Sequence, residues 1–301
     1  MNGSLNELYR GQGISKQAVH QYHKRQQVFD KKFTDLMLEV DELRAEHPGC
    51  GVEKMYYTLQ PAFIGRDRFV EHFMELGYRV KRMKNYHRTT VPASHKYPNL
   101  IEGMVVKSKN TIWQSDITYF DIKGTFYYLV FILDVFTRQI VGYAVSDHLR
   151  AEANLRALKM ALKEHGVPKI HHSDRGSQYI EKQYTKLLTD NGAAISMGLQ
   201  AQDNAYAERI NGTIKNDYLK HWKIDTFDAL KRKVKKVVLH YNNKRIHDSL
   251  PSRISPNEYE KTVNKYQTIE EIFAPDRITP RESTFSWCDE IKENELFCII
   301  N

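Results

Sequence analysis

At 301 residues the chain has room for two or three domains and at least one sizeable core, and 41% apolar with 11% aromatic residues excludes global disorder. No apolar run approaches a membrane span and the opening MNGSLNELYRGQG lacks the apolar centre of a signal peptide, so a soluble intracellular protein with no membrane partner is expected. The net charge of +8 is unevenly spread: basic residues exceed acidic ones by six over 66–110 and by seven over 206–265, the stretch between is neutral, and the last 36 residues carry an acidic excess of five. Two basic blocks around a neutral centre are the footprint of a protein that holds phosphate backbones on either side of its site, although a solvated basic face reads the same way for either block alone.

In chain order, 5–27 reads as short helices, with GISKQAVHQYHKR similar to a helix-turn-helix fragment, and 31–46 as a longer helix ended by His47-Pro48-Gly49. Helices over 52–59 and 66–76 follow, joined through Pro61 and Gly65, and Arg79, Lys81, Arg82, Lys84 and Arg88 come just beyond the second. That arrangement predicts DNA contact in place of a plain helical hairpin. From Thr89 to Lys109 the two prolines and weak periodicity predict an extended linker.

Three antiparallel strands are predicted over 111–120, 125–135 and 139–145, the first two joined tightly through Lys123-Gly124. A helix over 151–165, a strand over 169–172, a helix over 178–191 with Ser177 as its N-cap, a strand over 193–197 and a helix over 204–219 follow. Such alternation predicts a mixed sheet with crossover connections. A basic helix over 226–243 and the segment YNNKRIHDSLPSRISPNEY close the patterned region, and Lys244, Arg245, His247 and Arg253 are candidate phosphate contacts.

The carboxylates carry the chemistry. Asp116 lies inside an apolar strand, where its charge is costly unless a shared cation offsets it; Asp174 ends a short strand and Glu208 sits on a helix. On that helix Asn204, Glu208, Asn211 and Lys215 fall at offsets of 4, 3 and 4, hence on one face. Asp134 ends a strand at a turn, where an Asp serves its own backbone. Of His171 and His172, one faces the site by strand alternation, and packing is the simpler role for both. Cys50, Cys288 and Cys298 are odd in number and far apart, which argues against a disulfide framework, and His20 and His23 lack the cysteine pair a zinc site would add.

WQSDITYF, FILDVFTRQIVGYAVS, HHSDRGSQY, ISMGLQAQDNAYAERINGTIK and YNNKRIHDSLPSRISPNEY, in that order over roughly residues 110–259, resemble the insertion-sequence transposases of the retroviral-integrase (DDE) superfamily. The resemblance implies an RNase-H-like α/β core, a mixed sheet flanked by helices, preceded by an all-α helix-turn-helix region. It implies Asp116, Asp174 and Glu208 as the catalytic and metal-binding triad, two Mg²⁺ or Mn²⁺ ions, and no need for ATP. Between Asp174 and Glu208 lie 33 residues, two fewer than is usual in the family, with the difference in the loop SMGLQAQDNA.

The expected organisation is a DNA-binding region over 1–90, a linker over 91–109, a catalytic core with its basic helix over 110–262 and an acidic tail over 263–301. The expected partners are double-stranded DNA, as element ends and as target, and further copies of the chain on that DNA, in the bacterial cytoplasm or nucleoid. Arg79, Lys81, Arg82, Lys84, Lys215, Lys244 and Arg245 are the candidate DNA contacts. An RNase-H-like nuclease without strand transfer would share the triad but have no use for the upstream helices and basic blocks. A DNA-binding protein without catalysis would have no use for the triad.

Overall fold

The computed structural model describes residues 9, 11, 13–80, 97–198 and 201–273, with side chains at all of these except 201, 202 and 266–273. Lys81, Arg82, Lys84 and Arg88 and most of the acidic tail lie outside the described residues. The chain divides into two compact units, 1–81 and 82–301.

In the first unit, α1 (Lys16–Glu46) is one unbroken helix, not the short helices expected before Lys31. No glycine or proline interrupts it, and the Ser15 side chain caps its start by accepting from the Ala18 N–H at 3.1 Å. Its packed face presents Phe29, Phe33, Leu36, Val40 and Leu43 to α2 (Val52–Leu59) and α3 (Arg66–Glu75), where Met55, Phe69 and Phe73 are fully buried. Gln60 ends α2 in the left-handed conformation.

Among the described residues, the second unit is built on five strands: β1 (Ile112–Ile122), β2 (Thr125–Asp134), β3 (Ile140–Ser146), β4 (Ile170–Ser173) and β5 (Ala194–Met197). Their order across the sheet is β3-β2-β1-β4-β5; β1, β2 and β3 are antiparallel neighbours, and β4 and β5 run parallel to β1. The parallel pairs are crossovers, made by α4 (Ala151–His165) between β3 and β4 and α5 (Lys182–Asp190) between β4 and β5. Residues 177–179, expected at the start of the second crossover helix, form a separate 3₁₀ turn, and α5 is capped by Glu181 instead of Ser177.

Alternation along β2 divides the core. Val130 and Ile132 join Trp113, Val141 and the small face of α4 (Ala153, Ala157, Ala161) on one side. Leu129, Phe131 and Leu133 face α6 (Ala205–Thr213) and α7 (Phe227–Asn243) on the other, with Ile210, Ile214, Val234 and Val237. Gly142 is dictated by the close seating of α4 on β3, because a Cβ there would stand 2.3 Å from the Ala157 carbonyl oxygen. α8 (Pro256–Phe273) closes the described chain, its Tyr259 and Val263 packed on Phe136 and Leu250. Part of the expected linker lies along β5: the Met197 N–H donates to the Pro98 carbonyl and the Leu100 N–H to Ser196 Oγ. No helix among the described residues is long and apolar enough to cross a membrane.

Candidate active site

Strand register brings two carboxylates together. β1 and β4 pair in parallel with Ser115 opposite Ser173, so Asp116 and Asp174 are the next residues along two adjacent strands. On β1, Trp113 and Ser115 face the α4 side, which turns Gln114, Asp116 and Thr118 toward α6. Asp174 closes a tight turn, its Oδ1 accepting from the Gly176 N–H at 3.0 Å; a Cβ at Gly176 would crowd that same oxygen at 3.0 Å.

α6 is clamped to β1 by side-chain amides. Gln114 Oε1 accepts from the Tyr206 and Ala207 N–H groups at 3.2 and 3.4 Å, occupying first-turn donors that no residue of the helix itself caps. Gln114 Nε2 donates to the Asp203 carbonyl and Asn204 Nδ2 to the Ser115 carbonyl. One turn beyond Glu208, Asn211 Nδ2 donates to Asp116 Oδ2 at 2.7 Å, while Oδ1 of the same carboxylate accepts from the Ile117 N–H. Sequence reasoning placed Asn204 and Asn211 on the face of Glu208 but missed Gln114, whose partners lie some ninety positions downstream.

The electrostatics follow from this crowding. Burial, then the charge of Asp174 and to a smaller extent that of Glu208, pushes the Asp116 carboxyl up to about 7. Burial also raises Asp174, and burial followed by the Asp174 charge raises Glu208. Three acids that each make ionisation harder, two of them by facing another acid, are a locus short of positive charge. Among the described residues no three carboxylate, imidazole or thiol groups already stand close enough to share an ion. The donor chemistry nevertheless fits a hard divalent cation: every candidate ligand is an oxygen, and the buried Asn211 Oδ1 beside Asp116 has no partner among the described residues.

The helix bearing Glu208 does not continue regularly to Leu219 as expected. After Thr213 it widens into a π turn over Ile214–Tyr218 and tightens into a 3₁₀ turn over Leu219–His221, which seats Ile214, Tyr218 and Leu219 together in the core. Lys215, on the π turn, reaches back along β1: its Nζ donates to Thr118 Oγ1 at 3.1 Å and stands 4.6 Å from the Tyr119 ring centre. Burial lowers its pKa, Lys220 adds to that, and Asp116 opposes it.

The remaining candidates separate. Arg79 and Lys244 are exposed. Arg245 is corrected from a surface contact to an internal one: its Nη2 lies 3.0 Å from Asp217 Oδ2 with only 12% of the side chain exposed, which leaves little of the guanidinium for a phosphate. His247 is buried against Tyr241, and Arg253 faces Asp248 at 3.6 Å. Asp134 is a scaffold residue, fully buried and accepting from Thr137 and the Asn110 N–H. His171 and His172 are packed, the first bonded to Tyr184 and the second to Ser196, and burial pushes them down to about 3 and about 4, so both are neutral.

Two family models, each described as an integrase core domain, match residues 107–201 and 193–254. The transposase of insertion sequence element IS904 from Lactococcus lactis is 33% identical over 196 residues, 63% of this chain and 77% of the relative. An uncharacterized 31 kDa protein of insertion element IS600 from Shigella sonnei is 33% identical over 211 residues, 67% of this chain and 77% of its own length. Among solved structures, the HTLV-2 integrase catalytic core domain in complex with magnesium is similar with a TM-score of 0.42 and 21% identity, over 50% of this chain and 95% of that one.

Proposed function

Because this chain belongs to the insertion-sequence transposases of the retroviral-integrase superfamily, and is a DNA transposase by that membership, we propose that Asp116, Asp174 and Glu208 form its catalytic centre. The observation that carries the proposal is the register that pairs Ser115 with Ser173, so that Asp116 on β1 and Asp174 just past β4 come next, with the helix of Glu208 clamped to β1 by Gln114, Asn204 and Asn211. The three carboxylates would hold divalent metal, two Mg²⁺ or Mn²⁺ ions as the family resemblance implies. Bound there, the metal supplies Lewis-acid activation of the attacking hydroxyl and stabilisation of the leaving oxygen.

The protein's own part is positioning and charge. Asp116 presents its carboxylate from β1 and Asp174 from the tight turn that follows β4, so the reacting phosphodiester meets a pre-set geometry. Asn211 fixes the rotamer of Asp116 through one oxygen, and the other accepts from the Ile117 N–H. Lys215, two strand positions from Asp116 through Thr118, is a cation for a phosphate next to the scissile one. No side-chain nucleophile is required, so cleavage at an element end and joining to target DNA use one centre in turn, without a covalent protein–DNA intermediate.

In the organisation that goes with this reading, residues 1–90 contact DNA, 91–109 link, 110–262 carry the chemistry and 263–301 form an acidic tail, with several copies acting together on DNA. Arg79 and Lys244 stay candidate contacts in it, joined by Lys81, Arg82 and Lys84.

The test is incubation of the full chain with labelled duplex carrying its element's ends and an unlabelled target, with and without Mg²⁺. Joined products that require the metal are expected. Cutting without joining would point to a nuclease, and binding without either would point to a protein that no longer catalyses.

A further inference from the structure

The basic block over 206–265 resolves into two groups of unlike fate. Lys231 is 3.3 Å from Asp228, Lys223 is 3.9 Å from Asp225, and Arg245 and Arg253 face Asp217 and Asp248. Of the rest, Arg232, Lys233, Lys235 and Lys236 gather on α7. That helix buries Leu230, Val234, Val237, Val238 and Tyr241 on one side, which turns Arg232, Lys235 and Lys236 outward on the other. Among the described residues no carboxylate pairs with Arg232, Lys233, Lys235 or Lys236. Lys233 and Lys236 are held over the ring of Trp222, at 4.4 and 5.9 Å from its centre, so part of this charge is fixed in place.

Uncompensated like charge on adjacent turns is unfavourable. Arg232 with Lys236 is an i,i+4 pair, Arg232 with Lys235 and Lys233 with Lys236 are i,i+3 pairs, and each such repulsion costs roughly 0.2–0.5 kcal/mol of helix stability. A partner with a regular array of anions removes that cost and gains counterion release. From Arg232 to Lys236 the helix rises about 6 Å, a span over which one DNA strand presents about two phosphates.

We propose that this outward face of α7 is a second DNA-contacting surface, taking the phosphate backbone of duplex DNA away from the acidic centre without reading its sequence. It rests on the transposase reading above, and extends it to residues outside the candidate contacts named from sequence. α7 and the helix of Glu208 share one hydrophobic layer on the same side of the sheet. Trp222, which anchors Lys233 and Lys236, ends the helical run that begins with α6. From Glu208 to Leu219 that run covers about 15 Å, several base pairs of duplex.

The experiment compares two full-length variants with equal loss of charge: Arg232→Gln/Lys235→Gln/Lys236→Gln, and Lys159→Gln/Lys163→Gln/Lys186→Gln on exposed faces of α4 and α5. Binding to a random-sequence duplex is followed over a salt series without divalent metal. The α7 variant is expected to lower the slope of log affinity against log salt by about 3, near one per lost contact, and the other variant to leave it nearly unchanged. Metal-dependent cleavage by the variant on α4 and α5 stays at the wild-type rate. Lys235→Arg/Lys236→Arg, which keeps the charge, is expected to retain the wild-type slope and separates charge from folding. An unchanged slope in a folded α7 variant, or equal losses in the two glutamine variants, overturns this inference alone. So does a shift in sedimenting mass in place of a shift in slope, which would make the face a contact between copies. Absence of any duplex affinity in the wild-type chain overturns it together with the reading of the site.

Discussion

Asp116 carries the largest electrostatic strain at the acidic centre. Its folded pKa of about 7 lies above the ordinary carboxylate value because burial and Asp174 oppose its charge. The native chain therefore binds this proton more tightly than the unfolded one. The contribution is fully present below the unfolded value near 4 and is lost as pH rises through about 7. Asp116→Asn should then stabilise the metal-free chain at pH 8, by on the order of 1–3 kcal/mol, with the gain shrinking toward pH 4. Thermal unfolding in chelator at both pH values checks this, and a variant no more stable than wild type at pH 8 would contradict it. Lys215 makes a different prediction. Lys215→Ala should raise the DNA concentration needed for half-maximal cleavage while leaving the metal requirement unchanged, with rate partly recovered by excess substrate. A lowered maximal rate with no change in that concentration would place Lys215 outside DNA binding.

Among the elements, the seating of α6 on β1 decides whether Glu208 reaches the two aspartates. Gln114 makes three of the bonds that hold it, all to backbone groups of 203–207. Gln114→Ala should cost about 1–3 kcal/mol, since it strands buried backbone donors, and should slow cleavage more than it weakens DNA binding. Loss of stability with an unchanged rate would mean that the clamp is structural only.

The same element shows where reading from sequence succeeds and stops. Alternation in β1 and β2, the Lys123-Gly124 turn and the crossover helices were legible because each is a local pattern of period 2 or 3.6. Asp116 stood out as a candidate because an Asp in an apolar strand has few inexpensive explanations. The clamp was not, because Gln114 is unremarkable within its strand and its partners are set by tertiary contact. Nor was the π turn at 214–218, since one extra residue per turn leaves no mark in composition. Arg245 was misread because sequence shows a charge but not its burial beside Asp217.

At the scale of the second unit, the segment 111–205 that forms most of the sheet is neutral in net charge and carries Asp116 and Asp174, while Arg232, Lys233, Lys235 and Lys236 gather on α7. In the function proposed above, charge on α7 would hold phosphate backbones without pairing with the carboxylates proposed to hold metal. The account stands on those carboxylates acting as one centre. The most direct measurement is single-turnover cleavage of element-end duplex in Mg²⁺ by Asp116→Asn, Asp174→Asn and Glu208→Gln, with folding and duplex binding measured on the same preparations. Each substitution removes a charge at nearly constant volume, so the account predicts cleavage at background in all three with binding retained. Cleavage near the wild-type rate by any one of them would remove that residue from the centre and contradict the account.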